Sequence, residues 1–167
     1  MDPLKKILSA GFLAVLVMGT LFHFVYSWTG NWIPAGFFVP VNESTWEHMK
    51  LVFFPMLICS FPIRRILSPR YPCISFALQL GNLAGTFLIP VLFYTYTGIL
   101  GKNVMFLDLF TFFVSVLTGF RLTFRFTRSC RGQRWETVMN LLILILFFCF
   151  LLFTYMPPKI GLFQPPV

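Results

Sequence analysis

The feature that most constrains this sequence is a series of long apolar runs that charged residues interrupt only at intervals. Hydrophobic residues make up 57% of the chain and charged residues 11%, whereas soluble domains contain roughly 45–50% and about 25%. A chain with this composition has too few polar side chains to cover its surface in water. The composition therefore excludes an ordinary soluble domain and indicates a membrane protein.

Five of the apolar runs are long enough to cross a bilayer as helices, each of which needs about 20 residues. Backbone polar groups in lipid must be satisfied within the segment, and the runs lack the alternation of barrel strands. We therefore predict an all-α transmembrane bundle that forms one domain over residues 1–167, with an uncleaved first helix. The predicted spans are residues 7–28, 46–63, 73–97, 104–124 and 135–156.

The basic residues outside these spans predict the orientation of the bundle. On one side lie Lys5, Lys6, Arg64, Arg65, Arg70, Arg121, Arg125, Arg128, Arg131 and Arg134. On the other side lie Lys102 and Lys159. Because cytoplasmic loops carry the excess of Lys and Arg, we expect a multi-pass protein of a bacterial inner membrane, with its N-terminus in the cytoplasm and its C-terminus outside.

The placement of the charges also identifies the partners to expect. The net charge of +8 does not indicate nucleic acid, because the basic residues punctuate apolar runs instead of forming an exposed polar surface. Membrane lipids are the expected partners. The arginine-rich residues 121–134 are expected to attract anionic headgroups.

Several ionisable side chains are expected to share one depth near the outer surface. Such groups inside a membrane usually face the bundle interior or a wet cavity, where they serve a function. The predicted topology brings them together from the first, second and fourth spans. They are His23, Glu43, Glu47, His48, Lys50 and Asp108.

Most of these groups belong to the run Asn42-Glu43-Ser44-Thr45-Trp46-Glu47-His48-Met49-Lys50. At 100° per residue, the polar side of this helix would carry Glu43, Glu47, Lys50, Ser44 and His48. The opposite side, expected to face lipid, would carry Trp46, Met49 and Phe53. A purely structural interpretation is a capping box between Ser44 and Glu47, with Glu47 paired to Lys50.

The chemistry of these side chains suggests a role for each. His48, His23 and Asp108 offer nitrogen and oxygen ligands for zinc or another divalent metal. Glu43 and Glu47 are candidate general bases, and Ser44 is a candidate hydrogen-bonding group for a substrate or an oxyanion. Candidate binding residues are Asn42, Trp46, Lys50, Asn82 and Gln79. This set favours a membrane-embedded hydrolase acting on a lipid or amphiphile.

Other functions remain open at this point. The same cluster would suit a transporter or a substrate-binding membrane subunit for a small solute or ion, with a homo-oligomer or a partner subunit supplying further helices. His23 and His48 would also suit the axial ligation of a b-type haem. A further alternative is a scaffold without chemistry of its own.

The four cysteines form no C-x-x-C pair. They are Cys59, Cys73, Cys130 and Cys149. Three of them lie near the predicted cytoplasmic side, where thiols stay reduced. We therefore expect neither a structural disulfide nor a cysteine zinc site.

The run from Asn42 to Lys50, followed by Leu51 and Pro55, resembles a family of small uncharacterised bacterial multi-spanning membrane proteins. That resemblance covers most of the chain and implies no chemistry. Ser44-x-x-x-His48 and Asp108 also resemble part of the zinc site of the superfamily of alkaline ceramidases and progestin-receptor-like proteins, which implies an intramembrane hydrolase. The H-x-x-x-H element of that superfamily is absent here, and about five helices stand in place of seven.

Overall fold

The structure, a computed structural model, describes residues 2–165, so the predicted domain limits at residues 1 and 167 lie outside it. The helices are α1 (Pro3–Trp28), α2 (Ile33–Gly36), α3 (Thr45–Leu67), α4 (Ile74–Leu100), α5 (Met105–Ser129) and α6 (Glu136–Tyr155). Short 3-10 helices lie at Gln133–Trp135 and Gly161–Phe163. No strand occurs within residues 2–165. The predicted all-α class is confirmed.

Four segments are long and apolar enough to cross a membrane: Pro3–Trp28, Ile74–Leu100, Met105–Ser129 and Gln133–Tyr155. Helix α3, with 23 residues, has a comparable length but carries charged residues near both of its ends. The chain is therefore a multi-pass membrane protein built from four or five long apolar helices. The inside-outside orientation stays a prediction.

Helix α3 lies at the centre of the bundle, and its burial corrects one expectation. Trp46, Met49 and Phe53 were expected to face lipid, but they are only 7%, 1% and 0% exposed. The Trp46 ring lies 4.7 Å from that of Phe150 on α6, measured between centroids. Hydropathy cannot separate these two environments, because an apolar side chain suits both lipid and the packed interior of a bundle.

Helices α4 and α5 approach each other closely at Gly81 and Gly119. A β-carbon at Gly81 would collide with the carbonyl oxygen of Gly119, and one at Gly85 would lie 2.9 Å from that of Ser115. Small residues allow membrane helices to come this close. The α4–α5 hairpin therefore depends on the absence of side chains at these positions.

The long helices run alternately up and down, which sorts the charged residues between two ends. At one end the Tyr71 hydroxyl donates to Asp2, 3.2 Å away, and at the other Lys50 near the start of α3 contacts Thr154 near the end of α6. The histidine end carries His23, Glu43, His48 and Asp108. The arginine end carries Lys5, Arg64, Arg65, Arg121, Arg125, Arg128, Arg131 and Arg134.

Cys73 and Cys130 form a disulfide, contrary to the expectation from sequence. Their Cα atoms lie 5.3 Å apart, within the usual range for a disulfide. Cys73 precedes α4 and Cys130 follows α5, so the bond closes the α4–α5 hairpin at the arginine end. Local spacing could not reveal this pair, because the hairpin separates the two residues by 57 positions. Cys59 and Cys149 are free.

Candidate functional site

Three side chains, those of His23, Glu43 and His48, converge at the histidine end. Each offers one potential ligand atom, and the three atoms lie within 4.8 Å of one another. Glu43 Oε1 is 3.8 Å from His23 Nε2, and Glu43 Oε2 is 3.4 Å from His48 Nε2. Their side chains are 33% (His23), 67% (Glu43) and 27% (His48) exposed. The cluster is thus half-buried and open on one side.

The turn that leads into α3 positions two members of this cluster. Asn42 Oδ1 accepts a hydrogen bond of 2.9 Å from the Ser44 amide, which is an Asx turn. Ser44 is the N-cap of α3, and its hydroxyl accepts from the Glu47 amide at 3.4 Å. Glu43 therefore lies in the turn, while His48 lies one helical turn into α3 and reaches back toward it. Only the Ser44 half of the predicted capping box forms.

A backbone carbonyl fixes the orientation of the His48 ring. His48 Nδ1 lies 2.9 Å from the Ser44 carbonyl oxygen. Because a carbonyl can only accept, Nδ1 must carry the proton that it donates. The other ring nitrogen, Nε2, then faces Glu43. Histidine ligands of metals almost always make this kind of second hydrogen bond, to a carbonyl, a carboxylate or water.

Glu43 is held in its ionised form by the same neighbours. A hydrogen bond with His48 lowers the pKa of Glu43 below its ordinary value of 4.5, and this effect outweighs the desolvation that raises it. Positive charge on His48 and His23 lowers the pKa further. A cation between the three side chains would take over this stabilising role.

Asp108 lies beside the cluster but is not one of the three closest ligand groups. The Tyr96 hydroxyl, from the end of α4, donates a hydrogen bond to its carboxylate. The sequence singled out Asp108 at the start of α5. It gave no signal for Tyr96, which belongs to no motif and lies in an aromatic-rich helix.

Two cavities flank the cluster, and Glu43, His48 and Asp108 line both. The first, of about 370 Å³, lies between α3, α4 and α5, and we call it the α4-side cavity. The second, of about 440 Å³, lies between α1, α3 and α5, and we call it the α1-side cavity. The cluster therefore sits where two spaces of ligand size meet.

The α1-side cavity opens toward the surface that faces lipid. Three of its lining residues, Phe24, Met105 and Leu109, are 45%, 79% and 60% exposed. They lie on α1 and α5, two of the helices that are apolar enough to cross the membrane. The α1-side cavity therefore borders the apolar outer surface of these two helices.

Glu47 and Lys50 form a separate buried network. Their side chains are 2% and 0% exposed, and Lys50 Nζ lies 2.7 Å from Glu47 Oε2. Lys50 also donates to Thr154 Oγ1 at 2.6 Å and to the Gly36 carbonyl at 2.8 Å, while Glu47 accepts from the Val41 amide at 3.0 Å. The predicted pair therefore exists, but it ties α6 and the connection before α3 to the centre of the bundle. Sequence reasoning missed Thr154.

The other candidate residues serve helix packing. Trp46 packs on α6, and the Asn82 amide donates to the Phe53 carbonyl at 3.2 Å. The Gln79 amide donates to Asn140. None of these side chains lines either cavity. Of the predicted site residues, the structure brings four together around the cavities: His23, Glu43, His48 and Asp108.

The ligand set implied by the ceramidase-like resemblance does not recur in this arrangement. The Ser44 hydroxyl is engaged in the helix cap, and α6 contains no histidine. The partners of His48 are His23 and Glu43 instead. The zinc ligands known for that superfamily therefore cannot be transferred to this chain as a set.

Comparisons with known proteins place the chain in a family without an assigned chemistry. No curated protein and no solved structure matches it. A protein-family model described as a family of unknown function matches residues 1–167. The expected membership of an uncharacterised family is thereby confirmed, and the chain belongs to the family of unknown function DUF6512.

Proposed function

We propose that this protein binds zinc or a similar divalent ion between His23, Glu43 and His48, and uses it to hydrolyse a lipid or another amphiphile. The spacing of the three ligand atoms carries the proposal. Glu43 oxygens lie 3.8 and 3.4 Å from the two histidine nitrogens. In tetrahedral zinc sites with bonds of about 2.0–2.1 Å, ligand atoms lie roughly 3.3 Å apart. The three ligand atoms lie within 4.8 Å of one another, so side-chain movements of roughly 1–1.5 Å would close the cluster on an ion.

The donor set supports zinc in a catalytic role. Two imidazoles and one carboxylate are a recurrent ligand set of catalytic zinc, which keeps its fourth position for water or substrate. The hydrogen bond from His48 to the Ser44 carbonyl supplies the outer contact that such ligands use. The exposed side of the cluster leaves room for the fourth position.

Asp108 suits the role of general base better than that of ligand. A bound metal would lower the pKa of a water molecule and polarise a substrate carbonyl. Asp108 would take a proton from the water as its oxygen bonds to the carbonyl carbon, and return the proton to the leaving oxygen or nitrogen. The hydrogen bond from Tyr96 orients the carboxylate for this task. Glu43, proposed from sequence as a base, becomes a ligand instead.

The lateral opening of the α1-side cavity favours an amphiphilic substrate. A lipid in the surrounding bilayer would move its headgroup between α1 and α5 while its chain stays against Phe24, Met105 and Leu109. The ester or amide bond nearest the headgroup would then reach the cluster. A water-soluble substrate would not need this apolar entrance.

The same geometry disfavours a haem between the two histidines. The Glu43 carboxylate reaches within 3.4 Å of His48 and 3.8 Å of His23. A haem with two axial histidines holds its flat porphyrin between the imidazoles. Glu43 occupies that space, so a small ion fits the cluster better than a porphyrin.

Hydrolysis by purified, zinc-loaded protein tests the proposed activity. The assay would follow fatty-acid release from long-chain esters and amides and from matched short-chain esters. We expect turnover of the long-chain substrates, with kcat lowered by about 10²–10⁴ in Asp108→Asn and zinc content unchanged. Glu136→Gln, at the half-buried start of α6 and outside both cavities, is the control carboxylate. Zinc-independent turnover, no turnover, or full activity in Asp108→Asn would contradict the proposal.

A further inference from the structure

A third cavity, of about 300 Å³, lies between α1 and α5 at the arginine end. We call it the basic groove. Its lining residues are Lys5, Leu8, Ser9, Phe12, Leu117, Phe120, Arg121 and Phe124. The groove is therefore an apolar and aromatic trough with two cations, and it is separate from the metal cluster at the other end of the bundle.

The two cations that line the groove come from different helices, and a third cation, Arg128, shares an aromatic contact with Lys5. Lys5 extends from the first turns of α1 and Arg121 from α5. Lys5 Nζ lies 5.9 Å from the centroid of the Phe124 ring, and the guanidinium carbon of Arg128 lies 5.6 Å from it. Cation–π contacts of this kind hold charged side chains against an apolar surface.

These positive charges have no acidic partners in the described part of the chain. The ion pairs among residues 2–165 all involve Glu43 or Glu47 at the histidine end. Lys5, Arg121 and Arg128 therefore present uncompensated charge next to apolar walls. Charge in that position favours an anion from the surroundings.

We infer that the basic groove binds the headgroup of an anionic phospholipid. Lys5 and Arg121 contact the headgroup phosphate, since Arg binds phosphate through paired N–H groups and Lys binds it as a point charge. Phe12, Phe120 and Phe124 contact the first part of the acyl chains. A free phosphate ion would share the polar contacts but would leave this apolar wall without a partner.

Native mass spectrometry of the full-length protein in detergent tests this inference, with three probes. They are phosphatidylglycerol, phosphatidylcholine with the same acyl chains, and inorganic phosphate. We expect phosphatidylglycerol to bind more tightly than phosphatidylcholine and to remain bound when phosphate is added. Lys5→Gln with Arg121→Gln should weaken binding of phosphatidylglycerol about tenfold for each cation removed, from the typical contribution of a charged hydrogen bond.

A matched pair of substitutions controls for overall charge. Lys6→Gln with Arg125→Gln removes the same charge from the same two helices, and neither residue lines the groove. All four side chains are exposed, so the fold should tolerate both pairs. Equal weakening by both pairs, equal binding of the two lipids, or displacement of phosphatidylglycerol by phosphate would each overturn the inference. Arg121→Lys, which keeps the charge and loses the paired contact, should give intermediate binding.

Discussion

The Nδ1 atom of His48 lies 2.9 Å from the carbonyl oxygen of Ser44, one helical turn earlier in the chain. This contact holds the imidazole so that Nε2 faces Glu43. Ser44 is itself fixed as the N-cap of α3, so the orientation of the ring is built into the start of the central helix. A ligand oriented before the ion arrives loses little conformational freedom when it binds.

The buried pair of Lys50 and Glu47 should be a major source of stability. Lys50→Met leaves the Glu47 carboxylate buried without its cation, which typically costs about 3–5 kcal/mol. We expect a clear drop in the thermal unfolding midpoint in detergent. The double substitution with Glu47→Gln should restore part of the loss, because no isolated charge remains. Lys102→Met, at an exposed position, is the control; a wild-type midpoint for Lys50→Met would refute this role.

The close contact of α4 and α5 predicts a difference between two glycines of the same helix. In Gly81→Ala the new methyl group would meet the backbone of Gly119, and overpacking of this kind costs about 1–3 kcal/mol. In Gly98→Ala the methyl group would enter open space. Thermal unfolding should show destabilisation for Gly81→Ala alone. Equal midpoints for both variants would mean that the helices are not tightly packed at Gly81.

The Cys73–Cys130 disulfide predicts the number of free thiols. The chain has four cysteines, and Cys59 and Cys149 are the free ones. Mass spectrometry of protein purified in air, after unfolding and maleimide treatment, should show two labels without reductant and four labels after reduction. Inside the cell, the cytoplasm expected at the arginine end would keep this pair reduced. Four labels in the unreduced protein would show that the pair is not bonded.

The distribution of basic residues predicts which end of the bundle faces the outside. A membrane-impermeant maleimide added to intact cells should label Lys102→Cys above the wild-type background. Arg131→Cys, between α5 and α6, should be labelled above that background only after lysis. The reverse pattern would place the histidine end, and the proposed site with it, on the cytoplasmic side.

The depth of the candidate site residues could be predicted from the sequence, but their rotation about the helix axis could not. Depth follows from residue number and the alternation of helices, which accounts for the proximity of His23, Glu43 and His48. The rotation of a helix about its axis, which decides the direction each side chain faces, depends on the helices packed around it. Glu47, one residue from His48 in the chain, faces the buried network instead of the cavities.

Burial was harder to predict, because apolar side chains gain little from leaving lipid for a protein interior. Trp46 and Met49 therefore carry no signal that separates a lipid-facing side from a packed one. The disulfide was also invisible locally, since Cys73 and Cys130 meet only after α4 and α5 fold into a hairpin. Both the burial of these side chains and the pairing of the cysteines depend on contacts between residues far apart in the chain.

Zinc content tests the metal site most directly. The full-length protein would be purified after growth with zinc and dialysed. Its zinc content would be measured by inductively coupled plasma mass spectrometry beside those of His23→Ala, His48→Ala and Glu43→Gln. We predict about one zinc ion per wild-type chain. Each of the three variants should bind zinc at least roughly 10–100-fold more weakly, which is the loss typical when a residue that only hydrogen-bonds to a ligand is changed. Its zinc content after dialysis should therefore fall, while Glu136→Gln should keep the wild-type content. A zinc-free wild-type protein, or variants that bind zinc equally well, would contradict the proposed site.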